Sequence, residues 1–361
     1  MKDIIKQPLT DRYYSIQSDI LTYSSFWCFV VVGGRNTGKT YGALKYMYEN
    51  KQKFIFIKRT NDEVKLICSK GAKSGMKADI SPFKSLNRDL NINIQAFPID
   101  TGLGGFYPVD DDNNIAGDCI GYILSLNAGD KYKGSDFSDC EALIFDEFIP
   151  QPWVRCGRKE GDQLLDIYKT VARDRTLRNR PELKLICLAN ATSINNPVFN
   201  VLDVMDIAAE MDLKNEEYHL QNWRRILLHR IPSIDIPEEE KTGIELAMTG
   251  TAWADMAFGG HFAYDDFTAV SHQRLKGYHP ICSYTYKKET VYIYEKDGKY
   301  YATNAKATGV TNYNLQRENQ QKKFFYDFIV HLREEAIEDN MVFQKYSYYD
   351  LIVNYKKIFD L

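Results

Sequence analysis

An eight-residue stretch, Gly33 to Thr40 (GGRNTGKT), limits what this chain can fold into more than any other part of it. It follows Phe26 to Val32 (FWCFVVV), a short apolar run rich in aromatic and β-branched residues. Such a run predicts a strand buried on both faces of a parallel sheet. Tyr41 to Asn50 holds no proline and predicts a helix, and Lys53 to Arg59 (KFIFIKR) predicts the next strand. The pieces make one βαβ unit. A Gly-x-x-x-x-Gly-Lys-Thr loop at such a turn matches the Walker A pattern, whose amides and helix N-terminus donate to a polyphosphate. The expected nucleotide-binding residues are Gly33, Gly34, Arg35, Asn36, Thr37, Gly38, Lys39, Thr40 and Tyr41. Lys39 would reach the β- and γ-phosphates, and the Thr40 hydroxyl would take a Mg²⁺ ion that arrives with ATP.

Glu141 to Phe148 (EALIFDEF) is apolar and then abruptly acidic, the pattern of a strand that ends in carboxylates. Taken alone, such an acid pair is also an ordinary solvent-facing strand end. Coupled to the loop at Gly33, it reads as Walker B: Asp146 on the metal and Glu147 polarising the attacking water. Small-molecule kinases need no water-activating base there. The N-K-x-D signature of GTPases and the L-S-G-G-Q element of transporter ATPases are both absent from the sequence. The reaction favoured is ATP hydrolysis coupled to motion, with Lys39 and Glu147 as catalytic residues. Asn190 follows the next buried run, Leu183 to Ala189, and reads either as a γ-phosphate sensor or as a plain turn residue.

Composition excludes whole classes rather than choosing one. The chain has 361 residues, 44% of them hydrophobic and 26% charged, which is ordinary for a globular protein. Its seven cysteines form no C-x-x-C pair, which argues against a disulfide framework or zinc ribbon and for a reducing compartment. No apolar run approaches the ~20 residues of a membrane span, and the polar start at Met1 to Lys6 does not read as a signal peptide. With a net charge of −3 it is no polycation that binds nucleic acid by charge alone.

Alternating strands and helices over the first ~200 residues predict a three-layer α/β sheet. Gly105 to Leu126 reads as an inserted hairpin that turns at Asp110 to Asn114, and Gly161 to Leu177 as a helix. The prolines and acidic run of Ile231 to Glu240 read as a boundary. The expected division is 1–230, a nucleotide-binding domain; 231–264, a linker; and 265–361, a C-terminal α+β domain. In the last, Ile281–Tyr286, Thr290–Glu295 and Lys299–Thr303 predict a meander with a turn at Asp297-Gly298, and Gln316–Glu338 a helix. The abundant tyrosines there read as contacts to nucleic acid or a partner, or as the outer face of the sheet.

The segment Arg155 to Lys184 is strongly basic, with Arg158, Lys159, Lys169, Arg173, Arg175, Arg178 and Arg180 between its ends. One reading is a solvated helix face paired with Glu160, Asp162 and Asp174. The other is a trans-acting arginine finger aimed at a neighbouring subunit's nucleotide, with Arg178 ahead of Arg180, Arg173 and Arg175. Lys131, in Lys131-Tyr132-Lys133-Gly134-Ser135, is a further trans or DNA-facing candidate, or part of a plain surface loop.

Three blocks together, VVGGRNTGKT, LIFDEF and TLRNRPELKLICLANATSINNPVF, resemble the encapsidation ATPases of small short-tailed phages with protein-primed genomes. The similarity is dense from Phe26 to Phe199 and thin beyond, where the Gly250-Thr251-Ala252-Trp253 stretch is only weakly similar. The resemblance implies an additional-strand, catalytic-glutamate P-loop NTPase followed by a vestigial RNase-H-like nuclease domain. It also implies a homopentameric ring at the portal vertex of a procapsid, driving double-stranded DNA inward in the cytoplasm of an infected bacterium. Some members dock on a structural RNA, though nothing in this sequence marks an RNA site. Asp265, Asp266, Glu289, Glu295 and Asp297 are scattered rather than spaced for two metal ions, so nuclease activity is not expected. The competing readings are a terminase-like subunit with a working nuclease, and a nucleotide-gated DNA-binding or scaffolding switch. Glu147 separates the last, since a pure switch has no use for a water-polarising carboxylate.

Overall fold

The apolar run before the glycine loop becomes β1 (Cys28–Gly33), buried along its whole length, so both faces of the sheet are covered there. The computed structural model describes residues 13–68, 80–151, 153–154, 156–232, 238, 241–251, 254, 257, 260–262, 265 and 267–361. The chain divides into two compact units, Met1–Leu202 with Lys214–Tyr264 and Asp203–Leu213 with Asp265–Leu361.

In the first unit, β2 (Phe54–Lys58), β3 (Ile94–Asp100), β4 (Leu103–Pro108), β5 (Gly121–Ser125), β6 (Ala142–Asp146), β7 (Lys184–Asn190), β8 (Tyr218–Gln221) and β9 (Ile226–Ile231) join β1. They form one sheet in the order β3-β4-β5-β2-β6-β7-β1-β9-β8. The stretch from β5 to β9 is parallel throughout, while β3, β4 and β8 add antiparallel edges. The hairpin expected around Asp110 is there as β4 and β5, and its second strand enters the parallel core beside β2. The Phe29 and Val31 face packs with Ala43, Leu44 and Met47 of the helix Lys39–Glu49 and with Ile16 and Ile20 of the helix Ile16–Thr22.

Register decides where chemistry can gather. Gly33 of β1 pairs with Asn190 of β7, and Asp146 of β6 pairs with Leu188 of β7. Because the strands are parallel, their carboxyl ends share one sheet edge, where α/β folds place ligands. The basic helix is shorter than the sequence predicts, Glu160–Val171, and its backbone turns tightly through Asp174 and Asn179, both at positive φ. Ala257, expected in a linker, lies on the glycine loop itself: the Arg35 N–H donates to the Ala257 carbonyl at 2.9 Å.

The second unit holds β10 (His279–Tyr286), β11 (Glu289–Lys296), β12 (Lys299–Thr303), β13 (Asn312–Asn314) and β14 (Met341–Phe343), ordered β13-β10-β11-β12-β14. The meander is β10 to β12, and its turn has Asp297 and Gly298 both at positive φ, which suits the twist of a tight hairpin. The following helix is interrupted by one π-helical turn, Phe325–Ile329, between Glu318–Phe324 and Val330–Ile337. Tyr284, Tyr301, Tyr313 and Tyr355 are buried, so these tyrosines are core rather than surface.

Candidate active site

The glycine loop closes over a cleft of about 210 Å³ lined by Asn36 to Tyr41, Asp146, Glu147, Ala189 and Asn190. Gly38 takes φ 84° at the start of the helix Lys39–Glu49, and a side chain there would collide with Tyr13 Cβ at 2.8 Å. With no side chain capping this helix, its first amides stay available to an anion. Arg35 and Asn36 are exposed at the tip of the loop, while Gly33, Gly34, Thr37 and Lys39 are buried.

Lys39 is folded into the loop. Its ammonium donates to the Gly34 carbonyl at 2.7 Å, the Thr37 hydroxyl at 3.0 Å, the Gly33 carbonyl at 3.3 Å and Asn190 Oδ1 at 3.4 Å. Burial lowers its pKa to about 8, against the opposing pull of Asp146. The Thr40 hydroxyl donates to Asp146 Oδ1 at 2.7 Å across 106 residues of sequence. A hydroxyl and a carboxylate facing a phosphate-sized cleft form the hard-oxygen donor set that Mg²⁺ prefers, so these residues fit the ion the motifs imply.

Glu147 follows directly, at φ 55°, a left-handed conformation rare for a residue with a β-carbon. Its backbone is fastened from several sides. The Arg59 guanidinium donates to the Glu147 carbonyl at 3.4 Å and to the Phe148 carbonyl at 2.9 Å. Asn196 Nδ2 also donates to the Phe148 carbonyl, at 3.0 Å, and the Phe148 N–H donates to the Leu188 carbonyl at 3.2 Å. Arg59 is held in turn by Glu160, with Nε 2.9 Å from Oε2 in a pair whose side chains are 8% and 5% exposed. Cys156 Sγ lies 3.1 Å from Glu160, and burial raises that thiol to about 12, so it is inert at neutral pH.

Two residues that the sequence reading left as strand, Lys58 and Arg59, thus belong to the site. Lys58 lies 3.0 Å from both Asp146 Oδ2 and Glu147 Oε2. Burial alone would lower its pKa, but the two carboxylates outweigh that and raise it. The signal for it was the basic end of an otherwise apolar strand, although nothing local says which acids such a residue meets.

The arginines singled out in the basic stretch differ in how they are held. Arg175 is buried and donates to Glu141 at 2.5 Å, the Cys140 carbonyl at 2.5 Å and the Pro181 carbonyl at 2.7 Å, which removes it as a trans-acting group. Arg180 is half-buried against Glu141 at 2.8 Å and the Ser138 carbonyl, and Arg173 reaches the Lys133 carbonyl at 3.5 Å. Arg178 is exposed, and its side chain makes no hydrogen bond or ion pair among the described residues. Glu160 pairs with Arg59, which directly follows β2, where the salt-bridged-helix reading had it serving the basic stretch. Lys131 is exposed and bridges Asp100 at 2.6 Å, away from the cleft. Arg155, Ala252, Trp253 and Asp266 lie outside the described residues.

In the second unit Asp265 accepts from the Tyr346 hydroxyl at 2.8 Å, and Glu289 accepts from Tyr348 and Lys345, each at 2.6 Å. Glu295 accepts the Gly298 N–H at 2.9 Å. Among the described residues no three His, Cys, Asp or Glu side chains come together as a metal-binding group. Nor is any described helix long and apolar enough to cross a membrane.

A glycine loop, an Asp-Glu strand end and a following asparagine meet at the carboxyl ends of the parallel strands of a mixed α/β fold. Residues 10–331 match the family described as podovirus DNA encapsidation protein (Gp16), and the chain belongs to that family. Among its relatives, the DNA packaging protein of Bacillus phage B103 is 26% identical over 276 residues, 74% of each chain. That of Bacillus phage phi29 is 24% identical over 262 residues, 70% of this chain and 67% of the other. In fold the chain is similar to a subunit of the bacteriophage Phi-29 viral genome packaging motor assembly, at TM-score 0.63 and 17% identity, covering 96% of this chain and 99% of that one. It is also similar to the Phi-28 gp11 DNA packaging motor, at TM-score 0.61 and 17% identity, with 98% and 99% covered.

Proposed function

We propose that this chain is an ATP-hydrolysing motor that translocates double-stranded DNA into a preformed procapsid during phage genome packaging. The observation that carries the proposal is the convergence of Lys39, Thr40, Asp146, Glu147 and Asn190 on one cleft, in a chain of the encapsidation family. The loop amides and Lys39 bind the polyphosphate, and Lys39 exchanges its carbonyl partners for phosphate oxygens. Thr40 and Asp146 hold Mg²⁺, which when bound neutralises charge on the phosphates. Glu147 orients the attacking water, and Asn190, already in contact with Lys39, reports the γ-phosphate to β7. Arg178, exposed and without a hydrogen bond or ion pair among the described residues, is the finger offered to a neighbouring subunit.

The position of β7 between β1 and β6 supports the additional-strand, catalytic-glutamate class of P-loop NTPases. The division at 231 and 265, with a vestigial RNase-H-like C-terminal part, belongs to the same reading. So do a homopentameric ring at the portal, a possible structural-RNA dock inherited from the resemblance, and action in the host cytoplasm. A motor without nuclease activity is part of the same reading.

The test is steady-state ATPase of the purified protein with and without non-specific double-stranded DNA at low and moderate salt. Stimulation by DNA that fades with salt, without cleavage, is the expected result. ATP binding with negligible turnover in the assembled procapsid as well would replace the motor with a nucleotide-gated switch.

A further inference from the structure

Asp19 and His229 form a buried pair that the chemistry of the cleft does not use. Asp19 lies on the helix Ile16–Thr22 and His229 on β9, which pairs with β1, and their side chains are 3% and 7% exposed. His229 Nδ1 is 2.7 Å from Asp19 Oδ2, and the Tyr14 hydroxyl donates to the same oxygen at 2.8 Å. The His229 ring stacks on Tyr218, with centroids 4.0 Å apart, and meets the Tyr14 ring edge-on at 5.1 Å. Burial, with the Asp19 carboxylate beside it, pushes the Tyr14 phenol far above its ordinary range, so it stays a donor.

The backbone of Tyr14 is wedged against the glycine loop. Its N–H donates to the Thr37 carbonyl at 3.0 Å. Its own carbonyl oxygen sits where a β-carbon on Gly42 would come within 2.6 Å, so the same residue also presses on the first turn of the helix Lys39–Glu49. In a trans peptide the C=O and the following N–H point in opposite directions. Holding the Thr37 carbonyl outward therefore turns the Gly38 N–H inward, to the cleft that Gly38 lines.

We propose, on the reading of this cleft as an ATP site, that Tyr14 is a positioning residue: anchored by its hydroxyl to Asp19 and His229, it aims the Gly38 amide at the nucleotide's phosphates and so sets how tightly the loop binds them. An amide that must find its direction after the anion arrives gives up part of the binding energy to ordering. One that is held beforehand does not. The Asp19–His229 pair thus acts on the phosphates through Tyr14, without touching them.

The experiment measures binding of a fluorescent ATP analogue, and its displacement by inorganic tripolyphosphate, on the full chain in wild type and Tyr14→Phe. The substitution keeps the ring and the backbone N–H and removes only the anchor. Dissociation constants for both ligands are expected to rise about fivefold, the equivalent of one net hydrogen bond. In an Asp19→Ala background, where the hydroxyl has already lost its acceptor, Tyr14→Phe adds no further loss. Should Asp19→Ala fail to fold, the comparison of the two ligands on Tyr14→Phe decides alone. A merely structural anchor would lower the melting temperature and leave both affinities as they are, which overturns the inference. So does a loss for the analogue that tripolyphosphate does not share, since Tyr14 would then serve the base or sugar; in both cases the ATP site stands. Wild type that binds neither ligand overturns the ATP-site reading, and the role of Tyr14 with it.

Discussion

The Arg178 N–H donates to the Arg175 carbonyl at 3.1 Å, yet the two guanidiniums on this one turn have opposite situations. That of Arg175 is sunk into the protein against Glu141, and that of Arg178 is exposed, with no ion pair and only the field of nearby Asp136 on it. Arg175→Ala leaves Glu141 without its buried partner and is expected to cost about 3 kcal/mol of stability, read as a lower melting temperature. Arg178→Ala leaves the melting temperature unchanged and lowers turnover in the assembled motor by ~10³. If the finger acts in trans, rings mixed from Arg178→Ala subunits and subunits with a dead Walker B strand recover turnover. Failure at every mixing ratio would exclude a trans role.

Glu147→Gln keeps the backbone and the contacts of the loop but removes the base. Nucleotide affinity is expected to hold within about threefold while hydrolysis falls by ~10² or more. A variant with undiminished turnover would assign the water-activating role elsewhere.

The Arg59–Glu160 pair is a support for Glu147 rather than a contact of the cleft. Glu160→Gln leaves a buried guanidinium short of its counter-charge, with an expected loss of ~3 kcal/mol. Because Arg59 also grips the Glu147 and Phe148 carbonyls, kcat falls in the folded fraction while nucleotide binding persists. A melting shift with an unchanged kcat would confine the pair to stability.

Lys39 provides a pH signature. Its pKa is about 8 in the folded protein against 10.5 for an ordinary lysine, so between those values the unfolded chain binds more protons. Stability from this group therefore rises with pH across about 8 to 10.5, and the cost of burying the charge is fully present below 8. Comparing wild type with Lys39→Met isolates the effect from the tyrosines that titrate nearby. The wild type should gain on the variant by of order 1–3 kcal/mol between pH 7.5 and 10 in chemical denaturation. A difference that does not move with pH would mean that Lys39 titrates normally.

What could be read from sequence was local and periodic. The loop from Gly33 to Thr40, the runs that became β1, β2, β6 and β7, and the Asp297-Gly298 turn each declare themselves within a few residues. What could not be read depends on pairing across the chain. Lys58 meets Asp146 across 88 residues, and Arg59 meets Glu160 across 101. No spacing rule singles out those partners. The basic stretch was visible, but burial alone separates Arg175 from Arg178. β3 escaped notice because Pro98 interrupts its pattern, and it stands at the sheet edge, where proline is tolerated. The tyrosines of the second unit were misjudged for another reason: a tyrosine can fill a core when its hydroxyl finds an acceptor, as Tyr313 does with Asp327 at 2.7 Å.

The peptide that follows Glu147 is gripped by Arg59, Asn196 and the Leu188 carbonyl. Such a residue is not carried into place by a moving loop. It can change state only by turning about its own side-chain bonds, and rotations of that kind in exposed groups take picoseconds to nanoseconds. For Glu147 as the proposed water-activating group, that rotation is fast beside any step of a motor, which places the tempo in the exchange of nucleotide and the larger movements around it.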